Sequence, residues 1–303
     1  MRTTENPHDF VDIGHSQLAY WQYGNGPDLV LVHGWPLHSA TFRHLLPYLS
    51  QHFRCHLFDL PGAGQTRTGT SATFGIRAHG ESLLNAIRAK GIQHYGLLGH
   101  DSGAAIMQFT AAQDHNNVMA MVMGNTETPG YHSAMMKLLM GLAKVPKGAD
   151  LFFRALRFKS LRRSSLGLGV CFTDPGFGDG EFFDLFIKPL IESSEVRQQQ
   201  VKLLQHFSEA DIRALIDIQK TIHMPVQLLW GEKDRYFLLE DARKMQRRFK
   251  GVSEIQVLPE GKLFLHEDHA DWFSEHALRF LGTHVSGVKI EEPAKIEGLK
   301  KSA

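Results

Sequence analysis

The sequence predicts an α/β fold, a mostly parallel sheet interrupted by a helical insertion, and three observations predict it. Short β-type runs alternate with turn signals and amphipathic segments over residues 1–127. The texture then turns helical over 128–222, and strand texture returns over 223–283 before a single terminal helix. Two segments of one α/β domain around an inserted helical region is the simplest parse of 303 residues.

The first segment carries the runs FVDI, QLAYWQY, DLVLVHG, FRCHLFDLPG, HYGLLGHD and NVMAMVMGN. The unbroken apolar stretch Leu29-Val30-Leu31-Val32 suits a central strand covered on both faces, where an alternating pattern would suit a half-exposed one. In the insertion, AMMKLLMGLAKV (134–145), LFFRALRF (151–158), EFFDLFIKPLI (181–191) and VRQQQVKLLQHF (196–207) have helical spacing. MPVQLLWGEKD and SEIQVLPEG resume the strands, and DHADWFSEHALRFLG (268–282) closes the domain as a helix. Residues 284–303 are polar with scattered aliphatics and read as a loosely held tail.

Composition narrows the function classes. Lys+Arg 33 against Asp+Glu 32 leaves a formal charge of +1, which gives no reason to expect nucleic acid or an anionic membrane as partner. No apolar stretch approaches the ~20 residues that span a bilayer, and MRTTENPHDF lacks a signal-peptide core. Two cysteines, Cys55 and Cys171, make no disulfide framework, so a reducing, cytoplasmic setting is expected for a monomer or homodimer. Eighteen histidines supply many near-neutral bases, and their placement matters more than their number.

Gly99-His100-Asp101-Ser102-Gly103 follows an apolar strand and precedes a helix of small residues. G-x-Nu-x-G at such a junction is a nucleophile elbow, whose glycines relieve crowding around a turn that lifts the central side chain above the sheet. The central residue here is Asp101; the competing reading is a glycine-rich turn whose Asp caps the next helix. Upstream, DLVLV ends in His33-Gly34-Trp35-Pro36, a loop able to supply one backbone N–H of an oxyanion hole, at Trp35, with Ser102 supplying the other. Asp234, in QLLWGEKD after a later strand, can orient a catalytic imidazole or simply form a turn.

Taken in this order, with FDLPGAGQT (58–66) similar to the D-x-x-G-x-G-x-S loop, residues 8–283 resemble the α/β-hydrolase superfamily. More narrowly, they resemble its aspartate-nucleophile branch, the epoxide hydrolases and haloalkane dehalogenases. The resemblance implies an eight-stranded, mostly parallel sheet with 128–222 as a helical cap over the active site. It assigns Asp101 as nucleophile and Asp234 as supporting acid, with Glu127 a second candidate acid, and Trp35 and Ser102 as oxyanion-hole donors. Neither a cofactor nor a metal is implied, and His266 with His269 offers no third ligand. Carboxylate attack on an sp³ carbon leaves an ester that water can cleave at its carbonyl, whereas serine would leave an inert ether.

The resemblance breaks at the base. The family segment G-H-F-L-x-E-D aligns without a gap on Lys262 to Asp268, so Leu263 occupies the histidine position. Three readings remain open: His266 acts as base, another group such as Lys262, His100 or His132 does, or the ester step is slow and the protein traps its ligand. An esterase-like hydrolase using Asp101 as a base for water is a weaker alternative. The leaving-group devices are also incomplete: no tryptophan follows the nucleophile, and the insertion has one tyrosine, Tyr131, with Tyr236 beyond Asp234. Phenylalanines are abundant there, and Phe182 and Phe186 are expected to face a small or medium apolar substrate. Arg154, Arg157, Arg162 and Arg163 read as a solvated basic stripe.

Overall fold

A computed structural model describes residues 5–129 and 134–285. Eight principal strands form one sheet: β1 (Asp9–Asp12), β2 (Ser16–Tyr23), β3 (Asp28–Val32), β4 (Arg54–Phe58), then a two-residue β5 (Arg67–Thr68) that pairs only β2. The path continues with β6 (Tyr95–His100), β7 (Val118–Gly124), β8 (Val226–Gly231) and β9 (Ser253–Leu258). Spatial order is β1-β2-β4-β3-β6-β7-β8-β9, antiparallel at β1–β2 and β2–β4 and parallel from β4 onward. The strands that read as unbroken apolar runs are the central ones, and every residue of β6 and of β8 is buried.

Side-chain alternation divides the core. One face of the sheet buries Val30, Val32, Leu97 and Met123 beneath helices Ile76–Ala89 and Ser102–Gln113, and the helical insertion packs on this apolar body. The other face buries Leu29, Leu31, Leu98 and Val122 against the terminal helix Ala270–His284 through Phe273, Ala277 and Leu281. Helix Ser102–Gln113 is apolar all round because it is covered all round, with ten of its twelve residues buried. Its neighbour approaches closely at Gly80, where a Cβ would stand 2.7 Å from Phe109 Cβ, and Thr110 donates to the Gly80 carbonyl there.

Between β7 and β8 the described residues form helices, among them Ala134–Lys144, Gly148–Ala155, Ser194–Gln205 and Glu209–Gln219, with a run of turns over 163–176. Ser193 and Ser208 cap the last two helices by accepting backbone N–H groups. The expected basic stripe divides. Arg154, Arg157 and Arg163 are exposed, but Arg162 is buried on Asp179, held by two of its nitrogens at 2.8 and 2.6 Å. No helix among the described residues is long and apolar enough to cross a membrane.

Candidate active site

Asp101 stands at the C-terminal end of β6, with φ 52° and ψ −139°. A non-glycine residue there is strained, and such strain persists where the surroundings over-determine it. They do so here. A Cβ on Gly103 would lie 2.1 Å from the Val32 carbonyl oxygen, and one on Gly99 would lie 2.9 Å from Met107 Sδ. The Asp101 amide donates to the Asn125 carbonyl at 2.9 Å, and Thr126 Oγ1 donates to the Asp101 carbonyl at 2.7 Å. The glycines of the motif are therefore required by contact, and the turn is pinned by the segment after β7.

The carboxylate is held at one oxygen. Asp101 Oδ2 accepts from the Trp35 amide at 3.0 Å and from Ser102 Oγ at 3.3 Å, and the Ser102 amide also donates to the carboxylate. Trp35 N–H is shared with Ser102 Oγ at 2.8 Å. Gly34 makes the approach possible, since a Cβ there would sit 2.5 Å from Oδ2. Burial pushes the Asp101 carboxyl up to about 7; the Ser102 and Trp35 hydrogen bonds oppose this, and the charge of Asp234 adds to it. The Trp35 indole does not turn toward the carboxylate: its Nε1 donates to the Gln200 carbonyl of the insertion at 3.3 Å.

Asp234 follows β8 and is fully engaged. Asn125 Nδ2 donates to Oδ2 at 2.5 Å and the Tyr236 amide to Oδ1 at 2.6 Å, while Asn125 Oδ1 accepts the Gly231 amide. Burial raises this carboxyl too, to about 7. Among the described residues no histidine hydrogen-bonds either aspartate. Leu263 is buried in the apolar core, and its carbonyl accepts His100 Nε2–H at 2.7 Å. Alternation along β6 turns His100 to the same face as Leu98, where it packs on Phe264.

His266 belongs to that second face. Its ring lies 3.9 Å from His100 between centroids, with Phe42 and Phe273 around it. With Thr41 O–H donating to Glu267 Oε1 (2.7 Å), His266 Nε2–H donates to Thr41 Oγ1 (2.6 Å) and Arg43 pairs with Glu267, while His266 Nδ1 is buried without a partner. Burial, and after it the neighbouring His100, holds the imidazole neutral, well below its ordinary range. Lys262 Nζ donates to the Phe172 and Gly169 carbonyls and fastens the insertion. Tyr131 and His132 lie outside the described residues.

The slot beside Asp101 is narrow, with a cavity volume of about 40 Å³, and it opens to solvent. Trp35, Ile76, His79, Ile106, Leu204 and Phe207 supply most of its apolar wall. Phe182 and Phe186 stand elsewhere, packed with each other and with Phe172 and Phe264 between the insertion and the main body. The wall residues carry the helical spacing Leu203-Leu204-Phe207 within VRQQQVKLLQHF, the signal that distinguishes them from the more conspicuous phenylalanines. Glu127 also lines the slot, and it is buried. Its Oε2 lies 3.1 Å from Thr126 Oγ1, whose own proton goes to the Asp101 carbonyl, its Oε1 has no hydrogen-bond partner, and burial followed by the Asp101 charge raises it well above the carboxylate range.

Residues 27–269 match the family model of the alpha/beta hydrolase fold. The chain belongs to that family. This hydrolase is 27% identical over 273 residues to a pimeloyl-(acyl-carrier protein) methyl ester esterase of Nitrosospira multiformis, covering 88% of this chain and 99% of that one. It is 28% identical over 117 residues to haloalkane dehalogenase 2 of Mycobacterium tuberculosis, covering 39% and 41% of the two chains. The epoxide hydrolase CorEH superposes with a TM-score of 0.76 at 20% identity, over 92% of this chain and 99% of the other, which establishes the shared fold.

Proposed function

We propose that this hydrolase attacks an sp³ carbon of a small to medium apolar electrophile through Asp101, in the manner of epoxide hydrolases and dehalogenases, and passes through an ester intermediate. One observation carries the reading. Asp101 Oδ2 rests on the Trp35 and Ser102 donors, where the carbonyl oxygen of an ester would rest. Oδ1 is then the attacking atom. An ionised carboxylate needs no base to attack, so the first half-reaction is complete without a histidine. The insertion between β7 and β8 acts as the cap that excludes water from the slot.

Hydrolysis in ¹⁸O-water under single-turnover conditions tests the assignment. The expected result is ¹⁸O in the Asp101 carboxylate, located by peptide mass, because water attacks Cγ of the ester. Label found only in the product would mean direct attack of water on substrate, and Asp101 would lose its role.

A second reading is favoured by Leu263, whose buried side chain cannot take a proton. The ester would then persist, and the protein would trap its ligand covalently. Intact mass over time after one addition of electrophile separates the two, since a trapped adduct stays and a turnover intermediate decays.

A further inference from the structure

Glu127 is the buried group that the Asp101 reading leaves unused. It stands three residues beyond β7 and lines the slot that Asp101 also lines. Oε2 has the Thr126 hydroxyl, and Oε1 is buried without a partner. Leaving a buried polar atom unpaired destabilises a fold, so its retention calls for a use. Two carboxyls facing one apolar slot cannot both ionise cheaply, and they share a single charge. That charge belongs on Asp101, which has the Trp35 and Ser102 donors, and the proton belongs on Glu127, whose one side-chain neighbour at hydrogen-bond distance is the Thr126 hydroxyl oxygen, able to accept it. Among the described residues His79 is the other titratable group in the slot wall; burial depresses it to about 4, and its Nε2 donates to the Pro61 carbonyl, so it stays neutral and engaged.

We infer that Glu127 carries the proton in both halves of the reaction, in place of the histidine absent at Leu263, and that this selects epoxides over alkyl halides as the substrate class. The inference rests on Asp101 as nucleophile. In the first half, Asp101 Oδ1 forms a C–O bond to the epoxide carbon, the ring C–O bond breaks, and the released oxygen takes the Glu127 proton. The site then holds a neutral hydroxyalkyl ester and a Glu127 carboxylate, and the charge that opposed ionisation of Glu127 has gone. In the second half, water attacks Cγ of the ester while Glu127 accepts one of its protons, and the Trp35 and Ser102 amides hold the tetrahedral oxyanion. Collapse breaks the ester C–O bond, the departing diol oxygen takes water's other proton, and Asp101 carboxylate with protonated Glu127 is restored. An alkyl halide breaks this cycle, because the halide leaves as an anion without a proton. Glu127 remains protonated and cannot accept one from water.

The test pairs Glu127→Gln with two probes, styrene oxide and 1-bromobutane, in ¹⁸O-water. Gln keeps the shape and the Thr126 contact but transfers no proton. Epoxide opening by the variant is expected to fall by roughly 100-fold, within the range for loss of one general acid. Alkylation of Asp101 by 1-bromobutane needs no acid, so it is expected to fall far less than epoxide opening, and a thermal melt reports that the variant is folded. In the wild type the butyl ester should outlast the styrene-oxide ester. Equal epoxide turnover by both proteins overturns the role of Glu127, and so does an equal loss with both probes, which would make the residue structural. Absence of label and adduct at Asp101 in the wild type with either probe overturns the nucleophile assignment itself, a different failure from the first two.

Discussion

The C-terminal edge of the sheet contains two regions that differ in how tightly the fold binds their chemistry. At the elbow, Asp101 is fixed by backbone: its own amide and carbonyl are tied to the segment after β7, and Gly34, Gly99 and Gly103 leave no room for a side chain. Across the sheet, Asp234 is equally well satisfied, but by Asn125 and a backbone amide instead of an imidazole. Leu263, where the motif would place a histidine, is packed into the apolar core. Under the proposed reading, packing enforces the position of Asp101 and leaves the base open. A turn that fails sterically destroys the fold, whereas leucine in place of an imidazole would change the chemistry alone.

The largest expected effect is therefore steric. Gly103→Ala places a Cβ 2.1 Å from the Val32 carbonyl oxygen, in the strand carrying the oxyanion loop, and neither backbone can yield. Loss of more than about 4 kcal/mol is expected, seen as failure to fold or a collapsed urea midpoint. Near-native stability would show that the elbow can relax and that the glycine requirement is weaker than the contacts imply.

Asp101→Asn comes next and acts in opposite directions on activity and stability. Activity should fall by at least about 10³-fold. Stability should rise, by the following linkage. Burial raises the folded carboxyl from 3.8 to about 7, so between those values the folded state binds more protons than the unfolded one. Stability present below 3.8 is thus lost as pH climbs through about 7. The variant removes that loss, with a gain on the order of 2 kcal/mol at pH 8 and a flatter stability profile over this window. Thermal melts at pH 4 and pH 8 measure it; a variant less stable at pH 8 would mean that the Trp35 and Ser102 hydrogen bonds outweigh the cost of burial.

Much of this contrast is legible in the sequence, and the boundary is physical. Asp101, Trp35 and Asp234 sit at ends of apolar runs, where strand periodicity fixes where the chain emerges. The eight strands and the helical insertion follow from the same patterning, and the two-residue β5 lies below its reach. Leu263 shows as an absence because its motif aligns without a gap. What sequence could not supply is facing. Spacing alone leaves His266 one helical turn beyond Leu263, whereas its environment is set by Thr41, Phe42 and Arg43, more than 200 positions away. Phe182 and Phe186 stand out by size, yet the slot wall is made by Leu204, Phe207 and Ile76. Glu127 reads in the sequence only as a second candidate acid; its orphaned oxygen and its place in the slot wall come from the structure.

His266→Ala separates structure from chemistry at that distant site. It removes a buried ring and the donor to Thr41, and leaves the Arg43–Glu267 pair with one fewer support. Destabilisation of about 2–3 kcal/mol is expected in urea unfolding. Single-turnover alkylation and hydrolysis, measured well below the new midpoint, should be unchanged. A selective loss of ester hydrolysis would instead make His266 the base, acting through a path that the Thr41 hydrogen bond now closes.

The smallest expected effect is a gain. Leu263→His restores an imidazole at the position that the motif reserves for it, on the chain segment whose backbone His100 already holds. Burying a polar ring in an apolar site costs about 1–3 kcal/mol unless a partner is found, and Asp234 is the partner at hand. Its present donors, Asn125 and the Tyr236 amide, must share it, so the new dyad should form incompletely. Roughly tenfold faster ester hydrolysis is a reasonable upper expectation for such a base. The gain should fall mainly on the ester formed from 1-bromobutane, because there Glu127 remains protonated and no other base is present. With styrene oxide, Glu127 already supplies one, and little should change. Equal acceleration of both esters would show that the deficiency at Leu263 is never compensated, and would move the whole second half-reaction back to the side of the sheet where Asp234 stands.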